Sequence, residues 1–138
     1  MNEVVPKTIE GSLGYTHSFS RYFELDGQRY DRRALVQEHG ILAPAEARRR
    51  NVPLKVSMRI IFEGVPDYDD YIFLFPISER GPAIPFGSGI VLSPDLPVLT
   101  PQDMHQKYGN GWAVMSMIYG GEFYAHRRID PRYFRGVI

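Results

Sequence analysis

Cysteine is absent from the 138 residues. That removes disulfide scaffolds, thiol catalysis and cysteine-based zinc sites together. No apolar run approaches the roughly 20 residues that a bilayer-spanning helix needs. Residues 1–10 show no basic region followed by an apolar stretch, so no secretory leader and no membrane partner are expected, and the expected compartment is the cytoplasm. An excess of charge of either sign is missing too: sixteen basic residues balance sixteen acidic ones. Dedicated nucleic-acid binders usually carry a positive excess, so a nucleic-acid partner is the less favoured class. A net charge of zero also leaves a homodimer unopposed by repulsion.

Catalytic signatures are scarce. The sequence has no Gly-rich phosphate loop, dinucleotide fingerprint, His-Glu-x-x-His motif, calcium loop or Gly-x-Ser-x-Gly elbow. His17, His39, His105 and His126 share no i, i+3 or i+4 spacing, so no metal chelate is expected. Two basic groups, Arg48-Arg49-Arg50 and His126 to Arg135, read as solvated faces, and Asp67 to Asp70 as an exposed acidic loop.

What is present is aromatic and turn-rich. Nine Tyr, eight Phe, thirteen Gly and eleven Pro point to short strands and turns rather than a helical bundle. The length suits a single domain over 1–138. Alternation predicts a strand in Leu13 to Leu25, with Tyr15, His17 and Phe19 on one face and Thr16, Ser18 and Ser20 on the other. Asp26-Gly27 reads as a turn. Asp31 to His39 reads as a helix that Asp31 caps and Gly40 ends, and Pro44 opens a second over Ala45 to Arg50. Leu54 to Phe62 alternates as a half-buried strand, Tyr71 to Phe75 is apolar on both faces, and Gly89 to Ser93 is a further strand. Thr100-Pro101-Gln102-Asp103 starts a helix that stops at Gly109. Trp112 to Tyr119 and Glu122 to His126 read as strands joined by Gly120-Gly121, and Ile129 to Ile138 as a turn and a closing strand. The expected class is α+β, with a mixed, mostly antiparallel sheet and two or three short helices.

Tyr15-Thr16-His17-Ser18-Phe19-Ser20 resembles the first-strand motif of small ADP-ribosyltransferases. Ala34 to Leu42 has the shape of their short helix ending in Gly and an apolar residue, and Tyr71 to Gly81 is similar to their middle strand and loop. Tyr119-Gly120-Gly121-Glu122-Phe123-Tyr124-Ala125, followed by Ile129-Asp130-Pro131 and Gly136-Val137, resembles their closing pair. The resemblance implies an ADP-ribosyltransferase-like fold, NAD as substrate and a macromolecular acceptor, as in toxins and effectors. Glu122 would then stabilise the positive charge that develops on the ribose as nicotinamide leaves. Tyr71 would grip the nicotinamide, His17 would donate to the other ribose, and Arg21 or Arg59 would anchor the pyrophosphate. Catalysis demands convergence, so the discriminator is whether His17 and Glu122 line one cleft on adjacent strands. The alternative is a non-enzymatic inhibitor or immunity protein that blocks a protein partner. Its signature would be an exposed patch of Tyr22, Phe23, Tyr68 and Tyr71 without a polar cleft.

Overall fold

The computed structural model describes residues 4–55, 65–112 and 122–138. In chain order the elements are β1 (Tyr15–Phe19), β2 (Tyr22–Leu25), β3 (Gln28–Asp31), α1 (Arg32–His39), β4 (Ile41–Leu42) and α2 (Pro44–Arg49). After them come β5 (Tyr71–Pro76), β6 (Ser88–Leu92), α3 (Pro101–Tyr108), β7 (Phe123–His126), β8 (Arg128–Ile129) and β9 (Phe134–Val137). The fold is α+β. Among the described residues its main sheet has five strands in the order β7-β5-β1-β6-β9, with β2-β3 and β4-β8 as separate two-stranded ribbons. Every described pair is antiparallel.

Local chemistry accounts for the helices. The Asp31 side chain accepts from the Arg33 N–H at the start of α1, and Gly40 ends that helix at φ +82° by donating to the Val36 carbonyl. An added Cβ at Gly40 would lie 2.6 Å from the Ile129 carbonyl oxygen, so glycine is required there twice over. In α3, Thr100 and Asp103 form a reciprocal capping box with Pro101 behind it, as the sequence predicts.

The core lies mainly along β1, β5 and β6. Tyr15, Phe19, Ile72, Leu74, Ile90 and Leu92 pack there with Val36 of α1 and with Ile41 and Ile129 of the β4-β8 ribbon. Full burial of each such side chain contributes on the order of 1.5–3 kcal/mol. A second cluster gathers Tyr71, Leu99, Met104, Trp112 and Tyr124. The expected polar face of β1 is also covered. Thr16 Oγ1 donates to the Ala83 carbonyl (2.8 Å), while Ser18 Oγ donates to the Ser88 carbonyl and accepts from the Phe86 N–H (both 3.0 Å). The connection between β5 and β6 is thereby fastened across β1.

Four sequence expectations change. β3 is an unanticipated strand of mostly polar residues, created because Asp26 and Gly27 both adopt positive φ and close a two-residue hairpin. Tyr68–Asp70 is a single 3-10 turn rather than a free acidic loop, since Asp69 pairs with Arg48 and Asp70 with His126 and Arg127. Trp112 lies in a helical stretch at 110–112, fully buried, with its indole N–H donating to the Pro66 carbonyl at 2.8 Å. Tertiary burial overrides the strand preference of Trp112, and the rest of the strand expected up to Tyr119 lies outside the described residues. Leu54 and Lys55 belong to no regular element, and the rest of the strand expected up to Phe62 is likewise outside the described residues.

Candidate functional site

β1 and β5 run as neighbours for two residue pairs only, Tyr15↔Pro76 and Thr16↔Phe75. Beyond them β1 stays with β6 as far as Phe19↔Ser88, and β5 stays with β7 as far as Tyr71↔His126. The sheet therefore forks at its centre. On its other side β7 is held in place because Tyr124 exchanges both backbone hydrogen bonds with Leu99 (2.8 and 2.9 Å). A residue bonded in that direction leaves its cross-strand neighbour, Phe73, with backbone groups turned toward β1. His17 meets them: its Nδ1 lies 3.0 Å from the Phe73 carbonyl oxygen.

A cleft of about 410 Å3 opens at this fork. β1 contributes His17, β5 contributes Tyr71, Phe73 and Phe75, and the residue preceding β7 contributes Glu122. Tyr22 and Phe23 of β2, Arg32 at the start of α1, Lys55, Tyr68 and Phe86 complete the walls used below.

Two titratable groups are shaped by this enclosure. Burial, helped by the nearby Arg32 charge, lowers His17 to a pKa of about 4, against the partial opposition of the Phe73 carbonyl. The ring is therefore neutral at pH 7. A carbonyl only accepts, so the proton resides on Nδ1 and Nε2 carries a bare lone pair. That Nε2 is buried and has no hydrogen-bond partner among the described residues. Glu122 is 2% exposed, and burial pushes its carboxyl up to about 8, so it holds its proton at neutral pH. Its Oε2 is likewise without a partner among the described residues. Unsatisfied polar atoms of this kind cost stability, and a cleft is where such atoms are kept for a ligand.

Of the five site residues expected from the sequence, three meet here. His17, Tyr71 and Glu122 line the same cleft, although β5 stands between the strands that carry His17 and Glu122, so these are not adjacent. Tyr71 is only 3% exposed, its hydroxyl shared with Tyr108 (2.7 Å) and its ring edge-on to Trp112. It makes a fixed wall rather than an open stacking plane. Arg21 does not line the cleft: it pairs with Asp31 at 3.3 Å and lies over the Tyr22 ring. Arg59 is outside the described residues.

Sequence reasoning missed Arg32, Phe73 and Phe86. Arg32 did carry a signal, because Arg32-Arg33 places two cations at a helix N-terminus, where the dipole disfavours them and where no first-turn acid compensates. Phe86 is 47% exposed, and its own N–H is held by Ser18. Tyr22, Phe23, Tyr68 and Tyr71, whose exposure as a patch without a polar cleft would mark the inhibitor alternative, all line this cleft beside His17 and Glu122. The two basic groups are largely neutralised by Glu46, Asp69, Asp70 and Asp130. Among the described residues no cluster suited to a metal ion occurs, and no helix is long and apolar enough to cross a membrane. Compared with family models, with curated proteins and with solved structures, the chain matches none.

Proposed function

We propose that the chain is an NAD-consuming, ADP-ribosyltransferase-like enzyme that moves ADP-ribose onto a macromolecular acceptor. One observation carries this: His17 and Glu122, far apart in sequence, open onto one aromatic-walled cleft, each with a buried polar atom that lacks a partner among the described residues. The cleft supplies the three things the chemistry needs, namely an orienting group, an acid that can become an anion, and apolar walls that exclude water.

His17 orients in the opposite sense from that expected. With its Nδ1 proton committed to Phe73, its Nε2 accepts a hydrogen bond from a ribose hydroxyl instead of donating one. Glu122 keeps its proton at neutral pH and gives it up to solvent when the positively charged nicotinamide ring comes beside it, since an opposite charge favours the carboxylate. The carboxylate then faces the sugar carbon as its bond to the nicotinamide nitrogen breaks and the electron pair leaves with nicotinamide. The acceptor's nucleophilic atom forms the new bond to that carbon, and its proton passes to Glu122 or to solvent. Tyr71, Phe73 and Phe86 wall the site, with Phe86 as the more exposed face.

The test is NAD binding by calorimetry together with nicotinamide release, on the purified chain and on Glu122→Gln and Glu122→Ala. NAD should bind in the micromolar range, and both variants should lose turnover by at least about a hundredfold while retaining binding and fold. Absence of NAD binding by a folded wild-type chain, or full turnover in Glu122→Gln, defeats the proposal.

A further inference from the structure

A guanidinium taken out of water costs free energy unless an anion or several acceptors replace the water. The arginines around the ribbons and turns observe this rule: Arg21, Arg48, Arg49, Arg50, Arg127 and Arg128 each face a carboxylate. Arg32 does not. It is partly buried where the main cleft meets a smaller pocket behind α1, and its side chain has no carboxylate partner among the described residues. Its guanidinium lies over the Phe19 ring, 5.3 Å from the centroid, which fixes its plane but supplies no counter-charge. Its position as first residue of α1 adds the positive end of a helix with no acid in its first turn. Lys55 and Glu24 line the same cleft, but Glu24 is an exposed residue of β2 and forms no ion pair with Arg32 among the described residues. Burial depresses the Arg32 guanidinium to about 10, the direction expected for a cation held without an anion.

We infer that Arg32 is the anchor for a phosphate group of the ligand, and that His17, which lines the same cleft and whose Nε2 has no partner among the described residues, takes a hydroxyl of the same molecule. A ligand carrying both a phosphate and a neighbouring hydroxyl donor is a phosphorylated sugar of the nucleotide type. The guanidinium fork suits two phosphate oxygens at once, which an ammonium does not. The identification of that nucleotide with NAD rests on the function proposed above, whereas the phosphate anchor does not. The role expected of Arg21 passes to Arg32, because Asp31 already occupies Arg21.

Inorganic pyrophosphate and NAD serve as separate probes, titrated against wild type, Arg32→Gln, Arg32→Lys and Arg21→Gln, with circular dichroism as the check on folding. Pyrophosphate should raise the melting temperature of wild type and of Arg21→Gln. Arg32→Gln should lose about ten- to a hundredfold in pyrophosphate affinity, the usual range for charge-assisted bonds. Should Arg32→Gln not fold, Arg32→Lys must show at least a severalfold loss, because the fork is gone. Pyrophosphate binding by wild type without NAD binding overturns the NAD function and leaves the anchor standing. The anchor is overturned if wild type ignores pyrophosphate, if a folded Arg32 variant binds it undiminished, or if Arg21→Gln shows the loss instead.

Discussion

His17 Nδ1 and the carbonyl oxygen of Phe73 face each other at 3.0 Å across the gap where β1 and β5 part. One hydrogen bond thus fixes the tautomer of a ring that lines the cleft and whose other nitrogen is buried without a partner among the described residues. We predict that nitrogen NMR shows a neutral, Nδ1-protonated His17 from pH 7 down to about 5, with titration near 4. Because folding lowers the pKa from 6.5, the neutral ring's contribution to stability is complete above 6.5 and is lost as pH falls through about 4. An Nε2-protonated ring, or a midpoint near 6.5, would remove the basis for His17 as an acceptor.

Glu122 works in the opposite direction. Folding raises its carboxyl from 4.5 to about 8, so its contribution is complete below 4.5 and declines as pH rises through about 8. Between 4.5 and 6.5 the two residues oppose each other. From 6.5 to 8 Glu122 acts alone, and unfolding free energy should fall by up to about 1.4 kcal/mol per pH unit. Urea denaturation at pH 6.5 and 8 should show that slope in wild type and a clear flattening in Glu122→Gln. Equal slopes in both proteins would mean that the carboxyl is already ionised.

Ser18 holds the β5–β6 connection through two hydrogen bonds, one to Ser88 and one from Phe86. Ser18→Ala leaves the Phe86 amide and the Ser88 carbonyl without that partner, at a cost of about 1–3 kcal/mol. It also releases the aromatic that walls the cleft. Chemical denaturation should register the first effect and a weakened NAD affinity the second. A variant as stable as wild type would show the connection to be held by other means.

Much of the fold was legible because its signals are local. Asp31 and Gly40 bracket α1, Thr100 to Asp103 caps α3, and the doubly apolar run from Tyr71 correctly marks a strand with neighbours on both sides. β3 was not legible, since Gln28-Arg29-Tyr30-Asp31 has little strand preference and pairs only because the turn before it dictates a hairpin. Trp112 lies in a helical stretch instead of a strand because its indole is buried against Pro66, a contact that nothing in its local sequence announces. At the site, His17, Tyr71 and Glu122 could be named from motif shapes. The fork that brings them together depends on where a ladder of hydrogen bonds stops, which no residue type announces. Arg32 is obscured differently: the cap at Asp31 accounts for the helix start and masks the unfavourable cations beside it.

The strand order has a consequence for how the chain matures. β1 is the middle of the sheet, yet its partners come much later in the chain, β5 through Phe75 and β6 through Ser88 to Leu92. Until they emerge from the ribosome, Tyr15 and Phe19 have no sheet in which to be buried. β6 in turn awaits β9 at 134–137, so the sheet is complete only after those residues have been made. Long-range pairing of this kind slows folding and leaves apolar strands exposed meanwhile. A nascent chain halted before residue 71 should remain a substrate for chaperones, and a peptide carrying β1, added to a chain that lacks it, becomes a candidate for complementation in trans.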